Sequence, residues 1–506
     1  MKLLTFLVCL FITFSIKAQT TFMAGHGWLQ TPEDFVLTQD NGYLIGGQMR
    51  SDTISSLIDE CALLKIDSIG NGQWLRLYFD FGHDSWIRSV SKTTDGNYLF
   101  CGYPDGTTIY QSYIVKVDPS GNVIWSKFLG LPGMDYSIQM RCLEMPDGNY
   151  VVVFNQGSMV SSFMSLIKLD PNGNIIMEYN YSGQGIYIER CNSIAVTNDS
   201  GLIFTGNYGG EPFLLRVNSQ GQPLWCKIYS DTLYEIAGTS VIQTKDNDFI
   251  ITVSSANYSA STAMIIRTNS SGDTLWTKHL SGYEYIYLSS VTQTSDSNFV
   301  LAGAIGNYNT NDQSLLILKF NSVGDTLWSR TYDTGGWNLT GKKIIEAPDG
   351  GLSTLCMNSL VTTVFKTDKD GLMNCFQDTS TLMLNQVQIN ISNDVITIDS
   401  TQGITNGNII ANSGISSTST YCLTLGSVPD LKSMHGISIY PNPASGILHL
   451  DYSFPINEIS IYGLAGNLIL TSKNKTEVDV SSLEPGMYYL LLRSNSGIQS
   501  QKFIKD

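Results

Sequence analysis

Short apolar runs alternate with polar turns along most of the chain, from about residue 20 to residue 376. Ile87–Thr93 and Leu288–Thr294 are typical runs, and each is followed by a turn containing Asp and Asn and then by a second apolar-rich run. Alternation with a period of two, bounded by turn residues, indicates β-strands and not helices. The pattern therefore predicts an all-β protein built from many short antiparallel strands.

One turn recurs seven times in nearly the same form. In the copy that begins at Lys116, KVDPSGNVIW, a basic residue is followed by an aspartate, by Gly121 and finally by Trp125. Two copies have Met177 and Cys375 at the tryptophan position. A second turn, which begins with aspartate and leads into a β-rich run, keeps step with the first. Steps of 47 to 52 residues separate the seven repeat glycines, which are Gly70, Gly121, Gly173, Gly221, Gly272, Gly324 and Gly371.

Each repeat of about fifty residues accommodates four antiparallel strands, here named a to d. Units of this kind are the blades of β-propellers, and one blade cannot bury both of its faces alone. We therefore predict a seven-bladed β-propeller over residues 19–376. The region resembles WD-like and quinoprotein-like propeller repeats. The repeated tryptophans are expected to pack between blades, and they are Trp74, Trp125, Trp225, Trp276 and Trp328.

The beginning of the chain, MKLLTFLVCLFITFSIKAQT, has the pattern of a secretory signal peptide. Lys2 supplies a positive charge, and the apolar run Leu3–Ile16 is short for a membrane span, which disfavours the alternative of a membrane anchor. We predict removal of residues 1–18 and no transmembrane segment in the remainder. Blade 7 ends at Cys375-Phe376 without a full strand d, so residues 19–23 are predicted to supply its outer strand as a clasp.

Residues 437–506 differ in character from the repeats. They contain YPNP at residues 440–443, IYGLAGN at 461–467, LEPGMY at 483–488 and KFIK at 502–505. In this order, the motifs resemble the type A C-terminal sorting domain of the type IX secretion system of Bacteroidetes. The resemblance implies a small β-sandwich that directs export to the cell surface or medium through the type IX machinery; a generic linking or adhesive β module is the alternative. The sorting-signal residues that it implies are Tyr440, Pro441, Asn442, Pro443, Gly466, Gly486, Lys502 and Lys505.

Residues 377–436 connect the two regions. They are rich in Ser, Thr and Asn and contain short alternating runs, so we predict a small β extension followed by a linker. Cys375 and Cys422 bracket the extension and could form a disulfide. Most of the other cysteines after the signal peptide occupy strand positions, where a buried thiol is the expected role.

Charge and motif content restrict the function. The formal net charge of −15 disfavours nucleic acid and anionic membrane surfaces as partners. Catalysis and metal binding need convergent ionisable groups, and the chain has five histidines and no G-x-S-x-G, H-E-x-x-H or glycine-rich phosphate motif. We therefore predict no catalytic residue, no metal and no cofactor.

The connections d–a and b–c emerge on one face of a propeller, and here they are rich in aromatic residues and carboxylates. Aromatic rings stack on sugars and anchor protein partners, although the same rings could merely pack the blade tops. We favour a non-catalytic secreted or surface protein that binds glycan or protein, because a binding face needs no convergent acid pair. The alternative is a secreted polysaccharide hydrolase or lyase that uses Asp84, Asp135 and Glu235. The predicted face comprises Trp28, His83, Asp84, Trp86, Asp135, Tyr136, Tyr187, Tyr234, Glu235, Tyr283, Tyr285 and Trp337.

Overall fold

The structure is a computed structural model of the whole chain. It describes residues 21–26, 29–51, 58–79, 84–104, 112–129, 139–158, 161–182, 188–230, 236–255, 263–307, 312–333, 338–358, 362–373, seven short strands between 378 and 424, and 438–451, 456–463, 468–472, 476–494 and 497–506. Strands, turns and bends account for these residues, and no helix that could cross a membrane is found among them. The chain divides into two compact units, one over residues 21–423 and one over residues 424–506.

The first unit contains seven antiparallel sheets that share one strand order, from a at the inside to d at the outside. Blades 1 to 3 are formed by β2 (Leu29–Leu37), β3 (Tyr43–Ser51), β4 (Ile58–Ile66) and β5 (Gly72–Phe79); β6 (Ser85–Lys92), β7 (Tyr98–Pro104), β8 (Ser112–Val117) and β9 (Val123–Leu129); and β10 (Met140–Glu144), β11 (Tyr150–Ser158), β12 (Ser161–Leu169) and β13 (Ile175–Ser182).

Blades 4 to 6 are formed by β14 (Ile188–Val196), β15 (Leu202–Tyr208), β16 (Glu211–Val217) and β17 (Pro223–Ser230); β18 (Ile236–Gln243), β19 (Phe249–Ser255), β20 (Ala263–Thr268) and β21 (Thr274–Ser281); and β22 (Tyr285–Gln293), β23 (Phe299–Asn307), β24 (Asp312–Phe320) and β25 (Thr326–Tyr332). Blade 7 is formed by β26 (Thr340–Glu346), β27 (Leu352–Met357), β28 (Thr362–Thr367) and the N-terminal β1 (Thr21–His26).

The seven sheets form a closed ring. The innermost strand of each blade contacts the innermost strand of the next blade, and β26 of blade 7 contacts β2 of blade 1. Aliphatic and aromatic side chains from the two facing sheets fill each gap between blades; Leu63 and Phe100, for example, belong to one core cluster between blades 1 and 2. The chain therefore folds as the predicted seven-bladed β-propeller.

The predicted N-terminal clasp is present. β1 pairs with β28 in antiparallel register, with Phe22 opposite Lys366 and His26 opposite Thr362. Phe22 is fully buried and, with Ala24, covers Gly70 of blade 1. The N-terminal segment thus supplies strand d of blade 7 and its contact with blade 1.

Seven described strands between residues 378 and 424 lie around the outside of the ring, and we name them the belt. The belt strands are β29 (Asp378–Thr379), β30 (Met383–Gln386), β31 (Asn390–Asn393), β32 (Thr397–Asp399), β33 (Ile404–Asn406), β34 (Ile410–Gly414) and β35 (Thr418–Thr424). Each adds a fifth strand to one blade, in the order blade 6, 5, 4, 3, 2, 1 and 7. The predicted β extension is therefore used in a way that the sequence did not indicate: its described strands complete the blades instead of forming a sheet of their own.

The spacing of the belt strands suits the ring. Their first residues are five to eight positions apart, which at about 3.3 Å per residue spans roughly 20 Å for each blade. Because strand twist accumulates from the inside of a blade to its outside, the outer strands turn toward the circumference. A chain that follows the circumference can thus pair with each blade in turn and cover its exposed edge.

The repeated glycine and tryptophan form one contact between neighbouring blades. Gly173 of blade 3 has φ of 79°, and a Cβ placed there would lie 3.1 Å from two ring carbons of Trp125 in blade 2. The indole Nε1 of Trp125 donates a hydrogen bond to the carbonyl oxygen of Pro171 at 3.0 Å. The glycine therefore allows the tight hairpin and the close approach of the ring, as predicted for the tryptophans.

Each blade also contains a buried basic side chain that is paired with an aspartate of the a–b turn. In blade 2, Lys116 Nζ is 2.6 Å from Asp95 Oδ2 and donates a second hydrogen bond, at 2.8 Å, to the hydroxyl of Tyr150 in blade 3. This ion pair joins the two repeated turns, which explains why the two turns recur at nearly constant spacing along the chain. The seven pairs are Lys65–Asp40, Lys116–Asp95, Lys168–Asp147, Arg216–Asp199, Arg267–Asp246, Lys319–Asp296 and Lys366–Asp349.

The second unit contains two sheets that share one core. Its strands are β36 (Ser438–Tyr440), β37 (Ile447–Asp451), β38 (Ile456–Gly463), β39 (Leu468–Ser472), β40 (Glu477–Asp479), β41 (Gly486–Ser494) and β42 (Gly497–Lys505). One sheet has the order β36-β37-β40 and the other β39-β38-β41-β42. Leu448 from the first sheet and Ile461 and Phe503 from the second are buried together, as the predicted β-sandwich requires.

Candidate functional site

The innermost strands, which we name the inner wall, carry a β-bulge at one shared position. The bulged residue lies seven positions before the aspartate of the following a–b turn. A bulge leaves one residue out of the ladder and re-aims its side chain, and bulges are common beside functional sites. Among the described residues, the bulged positions are Glu33, Arg88, Asn192, Thr239, Ser289 and Lys342.

Charges at these bulges are confined to three adjacent blades, 7, 1 and 2. Arg88 Nη1 donates a hydrogen bond to Glu33 Oε1 at 2.8 Å, and Lys342 Nζ lies 3.7 Å from the same oxygen. The bulges of blades 4, 5 and 6 carry neutral polar side chains; the hydroxyls of Thr239 and Thr252, for example, lie 2.9 Å apart. The shared bulged position is thus charged in blades 7, 1 and 2 and neutral in blades 4, 5 and 6. Sequence reasoning missed this, although the fixed spacing from the turn could have revealed it.

The guanidinium group of Arg88 is held against two aromatic rings. Its Cζ lies 5.0 Å from the ring centroid of Trp86 and 5.2 Å from that of Tyr103, and its Nη2 donates a hydrogen bond to the Tyr103 hydroxyl at 2.7 Å. Burial alone would lower the pKa of Arg88, but Glu33 and Tyr103 outweigh it and raise the pKa. We name Glu33, Trp86, Arg88 and Tyr103 the Arg88 cluster.

Two buried donors of the Arg88 cluster are unused. The indole Nε1 of Trp86 and the Nε of Arg88 are buried and have no hydrogen-bond partner in the described part of the chain. Buried polar groups are almost always hydrogen-bonded, because leaving one unpaired costs about 1–3 kcal/mol. The cluster therefore combines a cation and two aromatic rings with two covered N–H groups, which an oxygen-rich ligand reaches only when neighbouring groups move aside.

The seam between blades 7 and 1 carries a second charged contact. Asp34 Oδ1 lies 2.6 Å from Lys343 Nζ, and Asp34 Oδ2 accepts a hydrogen bond from the backbone N–H of Val90 at 2.8 Å. In blades 5 and 6, the equivalent acceptor is the hydroxyl of Ser240 or Ser290, which bonds to the next blade. Asp34 thus keeps the contact that the serines make and adds an ion pair at the place where the ring closes.

Four of the twelve predicted face residues lie in the described part of the chain. Asp84 Oδ1 accepts a hydrogen bond from the backbone N–H of Asp59 at 2.8 Å, which ties blade 2 to blade 1. Trp86 belongs to the Arg88 cluster. Tyr283 packs against the core between blades 5 and 6, and Tyr285 exposes only 9% of its surface. The burial of Tyr285 suits the alternative role of packing the blade tops, and the assignment of these four residues to a ligand-binding face stays a prediction.

The other eight predicted residues lie outside the described residues, and their assignment to a ligand-binding face stays a prediction. They are Trp28, His83, Asp135, Tyr136, Tyr187, Tyr234, Glu235 and Trp337. Two of the three candidate acids, Asp135 and Glu235, are among them. Asp84, the third, is already engaged by the backbone of Asp59.

One further carboxyl group near this face escaped the sequence reasoning. Glu60, at the start of β4, is buried, and burial raises its pKa to about 7. Its Oε2 has no hydrogen-bond partner among the described residues. The described histidines, cysteines and carboxylates form no group of three that could hold a metal ion. Six described cysteines are free and buried, whereas Cys375 and the side chain of Cys422 lie outside the described residues.

The sorting-signal residues at the two ends of the second unit meet in the structure. The backbone N–H of Ile504 donates to Asn442 Oδ1 at 2.8 Å, and the N–H of Ala444 donates to the carbonyl oxygen of Ile504 at 2.8 Å. The ring of Tyr440 stacks on His449 with centroids 5.4 Å apart. Pro441, Pro443 and Gly486 are exposed and Lys505 is buried, while Gly466 and the side chain of Lys502 lie outside the described residues.

Together, the ring of blades and the second unit define a class: a β-propeller that carries its own export domain. Residues 438–506 match the family described as a secretion system C-terminal sorting domain, which confirms the type IX assignment of this segment. Such a domain implies interaction with the type IX machinery and secretion to the cell surface or beyond. A comparison with curated proteins found no match.

Several solved structures are similar to this chain at low identity. A protein of unknown function from Dyadobacter fermentans is 8% identical over 62% of this chain and 93% of its own, with a TM-score of 0.37. A glucose dehydrogenase is 10% identical over 67% and 97%, with a TM-score of 0.36. The intramolecular trans-sialidase from Ruminococcus gnavus is 10% identical over 68% and 96%, with a TM-score of 0.37. At these TM-scores, none of the three bears on the activity of this chain.

Proposed function

We propose that this chain is a secreted or surface-attached binding protein of a Bacteroidetes-type bacterium, which recognises a glycan or protein ligand without catalysing a reaction. The C-terminal sorting domain supports the destination. The predicted signal peptide fits the same route, because export by this system begins with passage into the periplasm. A polysaccharide or a protein at the cell surface is the class of ligand available there.

The Arg88 cluster is the observation that carries the binding proposal. It combines the faces of Trp86 and Tyr103 with a charged guanidinium and two unused N–H donors. Aromatic faces with a few fixed polar groups are what saccharide and protein ligands require. The cluster lies on the inner wall, at the end of the innermost strand where the predicted face residues Asp84 and Trp86 also lie.

The competing enzyme proposal receives less support. Glycosidic cleavage by paired carboxyl groups needs two of them on either side of the scissile bond. Of the candidate acids, Asp84 accepts a backbone hydrogen bond, which suits a structural role. Burial raises the pKa of Glu60 to about 7, which suits a general acid, but cleavage also needs a second carboxyl group across the scissile bond, and the candidate acids Asp135 and Glu235 lie outside the described residues.

A glycan-array screen of the mature chain, with and without calcium, tests the proposal. We expect a hit whose affinity falls at least about tenfold in Arg88→Met, equivalent to about 1.4 kcal/mol. Thr239→Ala, at the matching bulge of blade 5, is the control and should bind as the parent does. Binding that is unaffected by Arg88→Met would place the ligand elsewhere. Turnover of a bound polysaccharide by the parent chain would favour the hydrolase or lyase.

A further inference from the structure

A pocket of about 440 Å³ lies between blades 4 and 5, on the side of the ring that carries the a–b turns and the c–d hairpins. Pockets that bind small molecules have volumes of this order. We name it the blade 4–5 pocket. It is lined by both a–b turns, by β17 and by the hairpin of blade 5, through residues that include Asp199, Leu224, Trp225, Asn247 and Ser270.

The pocket is open because Arg216 turns toward its own blade. Arg216 Nη2 donates a hydrogen bond to Asp199 Oδ1, and Nη1 donates to two carbonyl oxygens of blade 4. In blade 5, the equivalent Arg267 donates instead across the seam to the carbonyl oxygen of Ser322, which also accepts a hydrogen bond from the indole Nε1 of Trp276 at 3.1 Å. The described residues make neither contact between blades 4 and 5, so the space there is not filled.

The polar groups that line the pocket are only partly used. In the part of the chain that the structure describes, four of them have no hydrogen-bond partner, and these are Trp225 Nε1, the carbonyl oxygen of Ser270, Asp199 Oδ2 and Asn247 Nδ2. Asp199 Oδ2 is open because Arg216 bonds to Oδ1, whereas in blade 2 Lys116 lies 2.6 Å from the equivalent Asp95 Oδ2. The pocket therefore holds two open donors and two open acceptors.

We propose that the blade 4–5 pocket binds a neutral saccharide of about one or two sugar units. This inference goes beyond the binding proposed for the Arg88 cluster and does not rest on it. A sugar hydroxyl both donates and accepts hydrogen bonds, so sugars can use the open donors and acceptors together. The apolar side of a sugar ring suits the half-buried Trp225 and Leu224, which is 54% exposed. The charges of Arg216 and Asp199 offset each other, so the pocket does not favour an anionic ligand.

The walls of the pocket are held in place without a ligand. The backbone N–H of Asn198 donates a hydrogen bond to Gln243 Oε1 at 2.7 Å, and its Nδ2 donates to Asn247 Oδ1 at 2.7 Å, so the two a–b turns are joined. The rings of Trp225 and Phe249 meet edge to face with centroids 6.0 Å apart. Ordering of side chains on binding costs free energy, and a preformed pocket avoids much of that cost.

Calorimetric titration of the mature chain with maltose, cellobiose, laminaribiose and N,N′-diacetylchitobiose tests the inference. Leu224→Ser and Leu275→Ser form a matched pair, because the two leucines occupy the same hairpin position and are 54% and 53% exposed, but of the two it is Leu224 that lines the pocket. We expect at least one disaccharide to bind. Leu224→Ser should raise its Kd at least about fivefold, and Leu275→Ser should bind as the parent does.

Two further variants test the polar contacts. Asn247→Gly removes the open amide and keeps the turn, because Gly96 occupies that position with positive φ in blade 2; Ser297→Gly is the same change in blade 6 and the control. Arg216→Lys should pair with Asp199 Oδ2, as the lysines of blades 2, 3 and 6 do with their aspartates. We expect Asn247→Gly and Arg216→Lys each to raise the Kd at least about threefold, with melting temperatures within about 2 °C of the parent.

Three results would overturn the inference. The first is no binding of any of the four disaccharides, or equal loss in Leu224→Ser and Leu275→Ser. The second is binding that falls in Arg88→Met but not in Leu224→Ser, which would place the disaccharide at the Arg88 cluster. The third concerns digalacturonate, which carries two carboxylates: if it binds more tightly than every neutral disaccharide, the pocket is not a site for neutral sugars.

Discussion

We name the face that carries the a–b turns and c–d hairpins the hairpin face. Equivalent positions in the seven blades hold similar residues on the hairpin face and different residues on the inner wall. On the hairpin face, every blade has a basic residue paired with an aspartate, and a tryptophan or its substitute covers the glycine of the next blade. On the inner wall, the same bulged position holds Glu33, Arg88, Thr239 or Lys342 in different blades. Each hairpin must pack against the next copy of itself, whereas the wall faces the central axis and is free to differ.

The comparison leads to an expectation about substitutions. Changes on the hairpin face should lower the free energy of unfolding in whichever blade they are made. Changes on the inner wall should alter ligand binding, and they should leave unfolding nearly unchanged where the bulged side chain is neutral, as at Thr239, but not at the buried pair of Arg88 and Glu33 or at Asp34. The four predictions below test the first half of this expectation, from the largest effect to the smallest.

Deletion of residues 19–25 should have the largest effect. It removes most of β1, so β28 and β35 lose their common partner and Gly70 loses the cover of Phe22 and Ala24. We expect the melting temperature, followed by circular dichroism, to fall by more than about 10 °C. A chain that ends at residue 424 retains all the blades and the belt, and its propeller transition should stay within about 2 °C of the parent. An unchanged melting curve after the deletion would show that the clasp is dispensable.

Substitution of Asp95 by Asn should destabilise the protein by about 2 kcal/mol, because it leaves the ammonium group of Lys116 buried without a carboxylate; the loss is smaller than for a fully buried pair, since the Asp95 side chain is 44% exposed. Urea unfolding measures the loss. Lys369→Ala is the control, since Lys369 and Asp370 form an exposed pair, and it should change the free energy of unfolding by less than about 0.5 kcal/mol. Similar losses in the two variants would mean that the repeated pairs contribute no more to stability than an exposed surface pair does.

Two glycines of blade 3 separate backbone strain from the loss of packing. Gly148 and Gly173 have φ of 78° and 79°, but an added Cβ meets no atom within 4 Å at Gly148, whereas at Gly173 it meets the flexible end of Lys127 and the ring of Trp125. We expect Gly148→Ala to cost about 1 kcal/mol in urea unfolding and Gly173→Ala about 2 kcal/mol. Equal costs would mean that the contact with Trp125 contributes nothing beyond the shape of the turn.

Acid should weaken the same face by a smaller amount per blade. Burial would raise the pKa of Asp40, but hydrogen bonds from Lys65, Thr38 and the N–H of Gly42 lower it to about 2. Its contribution is therefore complete above pH of about 4, the ordinary pKa, and is lost as the pH falls through 2. Because Asp40 is half-exposed, we expect about 1 kcal/mol. Asp40→Asn should be less stable than the parent at pH 7, and the two should converge near pH 2.

Much of the fold could be predicted because its repeat is local. A turn of fixed spacing places Gly121, Trp125 and their equivalents, and the missing strand of blade 7 points to the N-terminus. The belt could not be predicted in the same way, because its strands are two to seven residues long and their partners lie up to several hundred positions away. Strand pairing depends on tertiary context more than on local pattern.

The candidate site was less predictable than the fold. The sequence singled out Trp86 as an aromatic residue near a loop. Arg88, which packs on the ring of Trp86, meets Glu33 only when blades 1 and 2 pack together, so the cluster could not be predicted. The burial of Tyr285 was equally beyond the sequence, since alternation does not say which aromatic at a blade top is covered. The ion pairs of the hairpin face were within reach of the sequence, because the two repeated turns carry opposite charges at constant spacing.

The belt also determines how the propeller responds to force. Its last strand, β35, is the one nearest in sequence to the C-terminal unit, so tension applied through that end would load the hydrogen bonds of β35 on β1 first and then those of β34 on β5. The belt strands would detach from the blades one after another, and each detachment would lengthen the extended chain by a few residues. The pairing of β1 with β28 is separate from this sequence of events, and the ring would stay closed while the strip extends. In a propeller tethered through its C-terminal end, detachment of the belt would thus absorb mechanical work before the blades themselves unfold.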